Sequence, residues 1–207
     1  MRIERHPDVS TLLTCAAGSQ PEALCAVVAS HICVCPKCFK ALREMHDVGV
    51  VLFDTITPAL LSHPAPIPSM NGAHSSVLEQ VRVDHHDSEI PRTLRHVLGD
   101  SLDALAWSRV APGIEQHVVT LSPAAHGDLR LLKMDRGACI PEHGHRGEEL
   151  SMVLRGACRD ALGTYTVGDL IDLDDETRHE VIAGDAVGCV LIVGSEGIPA
   201  FATSWLD

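Results

Sequence analysis

Two histidines and a glutamate at a fixed spacing constrain the fold of this chain more than any other feature. Residues 137–156 read GACIPEHGHRGEELSMVLRG and place His143, His145 and Glu149 in the pattern G-x5-H-x-H-x3-E-x6-G. Side chains at positions i and i+2 of a β-strand point to the same face, so His143 and His145 are expected to project together. Glu149 has the same parity and is expected to return on the same strand or on the paired one. Two imidazoles and a carboxylate can bind a divalent transition metal, so the pattern predicts a metal centre.

A segment further along the chain supplies a candidate for a fourth ligand. Together the two segments resemble the two signatures of the cupin superfamily, and the second signature keeps Gly168 and His179. Asp174, Glu176 and Ala183 replace its Pro, Gly and Asn, which puts the turn geometry in question more than the ligand set. The resemblance implies that His179 completes the set. The competing interpretation is that these histidines are solvated surface residues.

The second half of the chain has the pattern of a β-protein. From about residue 89, short segments with period-two character are separated by Gly, Pro and Asp, at 116–121, 129–134, 149–154, 169–173 and 187–193. Such spacing is typical of an antiparallel sandwich or closed barrel. We therefore expect residues 89–207 to form an all-β cupin barrel, or jelly-roll, that contains the predicted metal ligands.

The first part of the chain has a helical pattern instead. Helices are expected at residues 9–17, at about 21–32 and at about 36–52. Asp8 is a candidate N-cap for the first helix, which Gly18 is expected to end. Ser19 and Glu22 suggest a capping box at the start of the second helix.

A proline-rich stretch separates the helices from the β-rich part. Residues 55–74 contain four prolines and little charge, which indicates an extended linker. A short helix is expected at 75–83, followed by the polar pair His85–His86. The predicted organisation is therefore multi-domain, with an all-α domain over residues 1–85, including the linker, and the barrel over 89–207.

A second metal motif lies between the second and third predicted helices. His31, Cys35 and Cys38 form H-x3-C-x2-C, with Pro36 inside the knuckle, and one helical turn separates His31 from Cys35. Two thiolates with imidazoles suit Zn²⁺ in a closed tetrahedral site, and His6 is the preferred fourth ligand. The competing candidates for that position are Cys25, Cys33 and His46. A redox dithiol is the alternative interpretation of the CxxC, although it leaves His31 unexplained.

The remaining cysteines are expected to pack in the interior. Cys15 and Cys25 each lie among small apolar residues, which favours core thiols. Cys139, Cys158 and Cys189 fall in the β-rich part as strand or barrel residues. Cys139 is also a redox candidate because it lies near the predicted metal.

Charge and cysteine content limit the possible binding partners and the expected cellular compartment. The formal net charge is −12, with 5 Lys/Arg against 6 Asp/Glu in residues 1–70 and 11 against 22 in the remainder. This balance disfavours direct binding to nucleic acid and suits either a basic protein partner or solubility alone. No apolar run of about 18 residues and no secretory signal is found, so no membrane contact is expected. Eight cysteines without an export signal indicate reduced thiols in the cytoplasm.

Over nearly the whole chain, the two motifs in this order resemble the ChrR-type anti-sigma factors. The resemblance rests on RHPDVSTLLTCAAGS, on the HxxxCxxC knuckle and on PEHGHRGEELSMVLRGACRD. It implies a zinc-binding anti-sigma domain that keeps an extracytoplasmic-function sigma factor from RNA polymerase. It also implies a cupin required for sensing signals such as singlet oxygen or organic peroxide, with Zn²⁺ or another divalent transition metal. The implied ligands are His6, His31, Cys35 and Cys38 at the first centre and His143, His145, Glu149 and His179 at the second.

Two other functions compete with this interpretation. The same three-His, one-Glu set serves cupin dioxygenases and isomerases that use Fe, Mn or Ni, so an enzyme with an accessory zinc domain is the main rival. A DNA-binding zinc protein is disfavoured because the N-terminal part is near neutral and lacks a helix rich in Lys and Arg. In the anti-sigma interpretation, the helices on either side of the linker would grip the sigma factor from two sides.

Overall fold

Residues 2–59 and 88–197 are described by the structure, a computed structural model. Most of the predicted linker, the short helix expected at 75–83 and the pair His85–His86 lie outside these residues. The end of the first predicted domain, at residue 85, lies outside them as well. The division into two domains therefore stays a prediction.

Four α-helices occur in the described residues. They are α1 Val9–Ala16, α2 Glu22–Val34, α3 Pro36–Asp54 and α4 Arg92–Leu98, and a 3-10 turn follows at Leu102–Ala104. No single helix among the described residues has the length and apolar composition to cross a membrane, and α2 and α3 pass such a test only as a pair bent by 117°. Helix α4 was not predicted from the sequence. It places Leu94 and Leu98, one turn apart, in the core.

The helix termini agree with the sequence at both ends of α1 and disagree at the start of α2. Asp8 caps α1 by accepting a hydrogen bond from the backbone N–H of Thr11, and Gly18 follows the helix with a φ of 67°. The expected capping box is wrong, because Pro21 occupies the N-cap position of α2. The Glu22 carboxylate instead accepts hydrogen bonds from the backbone N–H and the hydroxyl of Ser122, which lies beyond β2.

The second part of the described chain is an antiparallel sheet that curls into a cupin barrel. Its strands are β1 Ser108–Ala111, β2 Ile114–Val118, β3 Asp128–Met134, β4 Cys139–His143, β5 Glu149–Asp160, β6 Gly163–Thr166, β7 Leu170–Leu173, β8 His179–Ala183 and β9 Cys189–Ser195. The strand order is β1-β2-β3-β9-β5-β8-β4, and β6 and β7 also pair with β5. The long strand β5 therefore pairs with four others and holds the barrel together.

The central strands are buried on both faces. In β9, Val190 and Ile192 belong to a core shared with the helices, whereas Leu191 and Val193 belong to the core inside the barrel. Alternating side chains of a strand face opposite sides, so each side of the sheet has its own apolar layer. The period-two pattern expected at 187–193 is therefore replaced in β9 by a continuous run of buried residues.

Helix α2 packs directly on the outer face of the sheet. A side chain at Gly194 of β9 would place its Cβ 2.5 Å from the backbone oxygen of Ala23 in α2, a distance that no real Cβ tolerates. The glycine therefore permits the close approach of helix and strand. As a result Leu24, Val27 and Ile32 of α2 are fully buried in the shared core.

Candidate metal centres

The four side chains predicted for the first centre come together at the junction of α2 and α3. One ligand atom from each of His6, His31, Cys35 and Cys38 lies within 4.8 Å of all the others. The His6 Nδ1 atom is 3.4 Å from His31 Nε2 and 3.4 Å from each of the Cys35 and Cys38 sulfurs. A tetrahedral ion with bonds of about 2.0–2.3 Å separates its ligand atoms by roughly 3.3–3.8 Å. The cluster therefore has the size of a single zinc-type site.

Local backbone structure explains how the knuckle forms. Helix α2 ends at Val34, and Cys35 has an extended backbone with φ −112° and ψ 99°. Pro36 is the first residue of α3, a position that suits its fixed φ and its missing N–H. The sharp break between the two helices brings Cys38, in the first turn of α3, back towards His31.

The environment of the knuckle favours a thiolate. The pKa of Cys35 is lowered to about 3, first because the Cys38 thiol donates a hydrogen bond to it and further because of His31, against the effect of burial. Thiolates are the form of cysteine that binds metals. Cys35 is thus prepared as a ligand before any ion is bound.

A backbone oxygen of the barrel orients His31. This side chain has no exposed surface, and its Nδ1–H donates to the carbonyl of Gly168 over 2.8 Å. The bond fixes the tautomer that leaves Nε2 free to bind a metal. Gly168 lies two residues before β7, so a barrel residue supports a candidate ligand of the helical centre. No pattern in the sequence indicates this contact.

Two aspartates of the barrel hold the segment that contains His6. Asp169 accepts hydrogen bonds from the backbone N–H groups of Glu4 (2.7 Å) and Arg5 (2.9 Å). Asp172 accepts from the backbone N–H of Asp8 (3.0 Å) and from the Thr11 hydroxyl (2.8 Å). We call these two residues the aspartate latch. The latch attaches the chain on both sides of His6 to the start and middle of β7.

The four predicted cupin ligands also converge. One ligand atom from each of His143, His145, Glu149 and His179 lies within 4.8 Å of all the others. The His145 Nδ1 atom is 3.1 Å from Glu149 Oε2. The ring centroids of the three histidines are 4.6–5.1 Å apart.

The strand assignment behind this prediction needs one correction. Strand β4 ends at His143, so His145 lies in the β4–β5 loop and not in the same strand. Glu149 begins β5, and His179 begins β8 directly opposite His143. The ligands therefore meet through the pairing of β4 with β8 and through the loop, and not through strand parity alone.

Several polar atoms of this cluster are buried without a hydrogen bond in the described part of the chain. They are His145 Nε2, Glu149 Oε2, which also faces His145 Nδ1 at 3.1 Å, and His179 Nε2. A buried polar atom without a partner costs about 1–3 kcal/mol, so native proteins rarely leave three together. A cation bound among these atoms would satisfy all three, which makes the residues present fit a metal ion.

Neighbouring groups fix the orientation of two of the histidines. The Nδ1–H of His143 donates to the Pro141 carbonyl over 2.9 Å. The Nδ1 of His179 lies 3.4 Å from Asp160 Oδ2, and the Tyr165 hydroxyl donates to the same carboxylate at 3.0–3.1 Å. Carboxylates that orient metal-binding histidines commonly tune metal affinity. Asp160 and Tyr165 were missed by the sequence analysis because they lie between the two motifs.

The protonation states suit metal binding. Burial lowers the pKa of His143 below its ordinary value. Burial, followed by the proximity of His143 and His145, lowers the pKa of His179 as well. Both rings are therefore neutral near pH 7, which is the form that binds metals.

A cavity opens beside the cupin cluster. It has a volume of about 480 Å³, and His143 and His145 form part of its wall. The other side chains around it are charged: Glu142, Arg146, Asp175, Glu176 and Arg178. A small polar molecule has a route to the cluster through this opening.

None of the competing ligands joins the first cluster, whose four members are the predicted ones. Cys25 of α2 contacts Cys15 of α1 instead, with 3.7 Å between their sulfurs. Cys33 is buried in the shared core. Cys158 and Cys189 are buried inside the barrel as expected, whereas Cys139 is exposed at the start of β4.

The fold and the two clusters define a class: a helical region with a two-His, two-Cys cluster attached to a cupin with a three-His, one-Glu cluster. Residues 98–198 match the model of the ChrR cupin-like domain. The anti-sigma-E factor ChrR of Cereibacter sphaeroides is 29% identical over 196 residues, which cover 95% of this chain and 91% of the relative.

A solved structure has the same architecture over the whole length. In the crystal structure of Rhodobacter sphaeroides SigE in complex with the anti-sigma ChrR, the matched chain is 28% identical, with a TM-score of 0.76. The match covers 94% of this chain and 100% of that one. These findings confirm the resemblance to the ChrR-type anti-sigma factors that the motifs indicated.

Proposed function

We propose that this protein is an anti-sigma factor that sequesters an extracytoplasmic-function sigma factor in the cytoplasm. The main support is the similarity, over nearly the full chain, to the anti-sigma factor ChrR. The solved structure of ChrR is a complex with SigE. The sequence identity extends through the helices as well as the barrel, since the alignment covers 95% of this chain. The proposed role is therefore regulatory binding and not catalysis.

An apolar groove between α1 and α3 is the proposed sigma-binding surface. It has a volume of about 360 Å³, and its wall includes Leu13 and Ala16 of α1 and Met45, Leu52 and Phe53 of α3. Phe53 is 77% exposed and Leu13 is 55% exposed. Exposed apolar residues that cluster in this way mark protein interaction sites. An apolar helix face of the sigma factor would cover the groove.

Substitutions in the groove test this assignment. Phe53→Asp introduces a charge that the bound sigma factor would desolvate, so affinity should fall by at least about tenfold. Val187→Asp is the matched control, because Val187 is 70% exposed and lies in the barrel, between β8 and β9. The sigma partner is first identified by copurification from the source cell, and affinities are then measured by calorimetry. Unchanged binding by Phe53→Asp would contradict the assignment of the groove as the sigma-binding surface. The absence of any captured sigma factor would contradict the proposed anti-sigma function.

Zinc is the proposed ion of the first centre. Two thiolates and two neutral imidazoles around Zn²⁺ give a neutral, closed tetrahedral site with no position for a substrate. Structural zinc contributes about 10–16 kcal/mol of apparent binding free energy in zinc-finger peptides, which here would stabilise the α2–α3 junction. The second centre is proposed to hold Zn²⁺ or another divalent transition metal. Elemental analysis should find about two ions per chain, and a single ion would remove one site.

We propose that the cupin centre senses an oxidative signal and causes release of the sigma factor. Its support is a physical connection between the centres. The ligand Glu149 pairs with Leu173 at the end of β7, while the start of β7 lies beside the Gly168 carbonyl that holds His31. An oxidative change at the cupin cluster can thus be transmitted through β7 to the supports of the helical centre.

The sensing proposal has its own experiment. Full-length protein bound to the sigma factor is exposed to singlet oxygen or an organic peroxide, and free sigma is measured. Glu149→Ala should bind the sigma factor normally and fail to release it. Release at the normal rate would contradict a sensing role for the cupin and leave the anti-sigma function intact.

The cavity beside the cupin cluster favours a second candidate function, a metal-dependent cupin enzyme. Its charged wall offers acid and base groups such as Glu142 and Glu176 near His143 and His145. The discriminating measurement is oxygen consumption by purified, metal-loaded protein with small dioxygenase substrates. Turnover that is lost in Glu149→Ala would support the enzyme, and no turnover favours the regulator.

A further inference from the structure

Two cysteines outside both metal clusters are in contact with each other. Cys15, next to the last residue of α1, and Cys25, in the first turns of α2, have their sulfurs 3.7 Å apart. Both are partly exposed, in contrast to the buried thiols of the knuckle. The sequence indicated only core thiols at these positions. The structure shows instead a pair of adjacent cysteines that are only partly buried.

The two thiols differ in access. Cys25 forms part of the wall of a largely apolar cavity of about 410 Å³, between α2, α4 and the chain at 119–121. Cys15 is not part of that wall. Gln20 lines the same cavity, and both polar atoms of its amide are buried without a hydrogen bond in the described part of the chain. A small polar molecule that enters the cavity would therefore meet a hydrogen-bonding amide and the Cys25 sulfur.

The two thiols also differ in acidity. The Cys15 thiol donates a hydrogen bond to Cys25, which lowers the pKa of Cys25 to about 7 against the effects of burial and of Glu22. The same contact, together with burial, raises the pKa of Cys15. Thiolates are the reactive form of cysteine, so access and acidity both identify Cys25 as the nucleophile.

We propose that Cys15 and Cys25 form a reversible redox pair, which hydrogen peroxide or another hydroperoxide oxidises to a disulfide between α1 and α2. The Cys25 thiolate attacks one peroxide oxygen, the O–O bond breaks, and the other oxygen leaves as water or an alcohol after gaining a proton. Cys25 is then a sulfenic acid. The Cys15 sulfur attacks the Cys25 sulfur, and the hydroxyl leaves with the Cys15 proton as water. In total, two thiols and one hydroperoxide give one disulfide, one water and one further water or alcohol.

The geometry allows the second step with little movement. The sulfurs must approach from 3.7 Å to about 2.05 Å. Cys15 lies at the C-terminal end of an eight-residue helix, directly before the turn at Gly18. Helix ends of this kind move more easily than helix centres. This inference does not depend on the proposed function, because it concerns only the chemistry of the pair.

The barrel contains an internal control. Cys158 and Cys189 are also in hydrogen-bond contact, but they are only 1% and 3% exposed. If contact between thiols were sufficient for oxidation, this second pair would also form a disulfide. Because it is buried, we expect it to stay reduced under conditions that oxidise Cys15 and Cys25.

The experiment uses the metal-loaded full-length protein treated with hydrogen peroxide, followed by acid quenching, differential alkylation and peptide mass spectrometry. The expected product is a peptide pair linked through Cys15 and Cys25 that dithiothreitol reverses, while Cys158 and Cys189 remain alkylated. Cys15→Ser should accumulate a sulfenic acid at Cys25, trapped by dimedone, whereas Cys25→Ser should leave Cys15 as a thiol. Recovery of both residues as thiols at a dose that oxidises the exposed Cys139 would overturn the proposal. A dimedone adduct at Cys15 in Cys25→Ser, with none at Cys25 in Cys15→Ser, would also overturn it.

Discussion

At the residue scale, both centres depend on groups that are not themselves candidate ligands. The Nδ1 atoms of His31, His143 and His179 each face an oxygen, from Gly168, Pro141 and Asp160 respectively. Each contact directs the Nε2 atom of the ring towards its cluster. The chemistry of the ligands is thus set by residue type, whereas their orientation is set by neighbours far away in sequence.

The first residue-scale prediction concerns Asp160. Asp160→Asn removes the charge facing His179 Nδ1, so the affinity of the cupin centre for a divalent metal should fall by about 10–100-fold. Competition with a chromophoric chelator measures this change. Glu180→Gln is the matched control, because Glu180 follows His179 in β8 and its side chain is exposed. An equal loss in both variants would show that general charge, and not the contact with His179, is responsible.

The second residue-scale prediction concerns pH. In metal-free protein, the pKa values of His143 and His179 are lowered by burial, so the unfolded chain binds more protons than the folded chain below about pH 6.5. The free energy of unfolding should therefore fall as pH decreases from 7.5 to 5.5, by up to about 1.4 kcal/mol per pH unit for each histidine. Urea unfolding at several pH values measures the slope. The double variant His143→Gln/His179→Gln should have a shallower slope, and an unchanged slope would contradict the assignment.

At the element scale, strand β7 connects the barrel to the helical centre. The aspartate latch binds backbone groups on both sides of His6, and the carbonyl just before β7 accepts from His31. Although burial opposes it, hydrogen bonds from Arg5, Thr166 and Glu4 lower the pKa of Asp169, so this carboxylate stays charged at neutral pH. The N-terminal segment is therefore positioned by the barrel and not by the helices alone.

The element-scale prediction follows from this arrangement. Asp169→Ala leaves the backbone N–H groups of Glu4 and Arg5 without their acceptor, so the segment containing His6 should detach more often and zinc affinity at the first centre should fall. Zinc release to a chelator measures the effect. Asp174→Ala is the control, since its carboxylate bonds locally to Thr177. Equal zinc release from both variants and from the wild-type protein would mean that the latch does not support the centre.

At the scale of the whole molecule, the helices and the barrel share one apolar core. Leu24, Val27 and Ile32 of α2 belong to the same buried cluster as Leu150 and Ile192 of the sheet. The exposed groove lies between α1 and α3, and none of the residues that form its wall belongs to the sheet. Removal of the barrel is therefore expected to lower the stability of the helices more than their affinity for the sigma factor.

A fragment of residues 1–85 tests that separation. It keeps the four residues of the first cluster and the groove. It loses the aspartate latch and exposes the side of α2 that faces the sheet, so its melting temperature should be lower than that of the full chain. It should still bind the sigma factor. Circular dichroism melting and calorimetry measure the two properties. Equal melting temperatures would show that the shared core adds no stability, and loss of binding in a folded fragment would place part of the sigma-binding surface elsewhere.

The sequence by itself determined the members of both clusters, the helical and β-rich halves, and the cap at Asp8. These features depend on residue type and short-range spacing, which are visible along the chain. The sequence was wrong about the capping box at Ser19 and about His145, because the ends of helices and strands depend on partners that lie far away in the chain. In the structure, Glu22 bonds to Ser122, and strand β4 stops at His143.

Tertiary structure alone decided the docking of α2 against Gly194, the aspartate latch, the support of His179 by Asp160, and the contact of Cys15 with Cys25. The docking of α2 and the aspartate latch join residues more than a hundred positions apart, and no local pattern encodes such a pairing. The physical reason is that a buried polar group must find a partner wherever the folded chain brings one within reach. Residue type therefore identifies the candidate metal ligands, whereas three-dimensional packing determines which groups hold them in place.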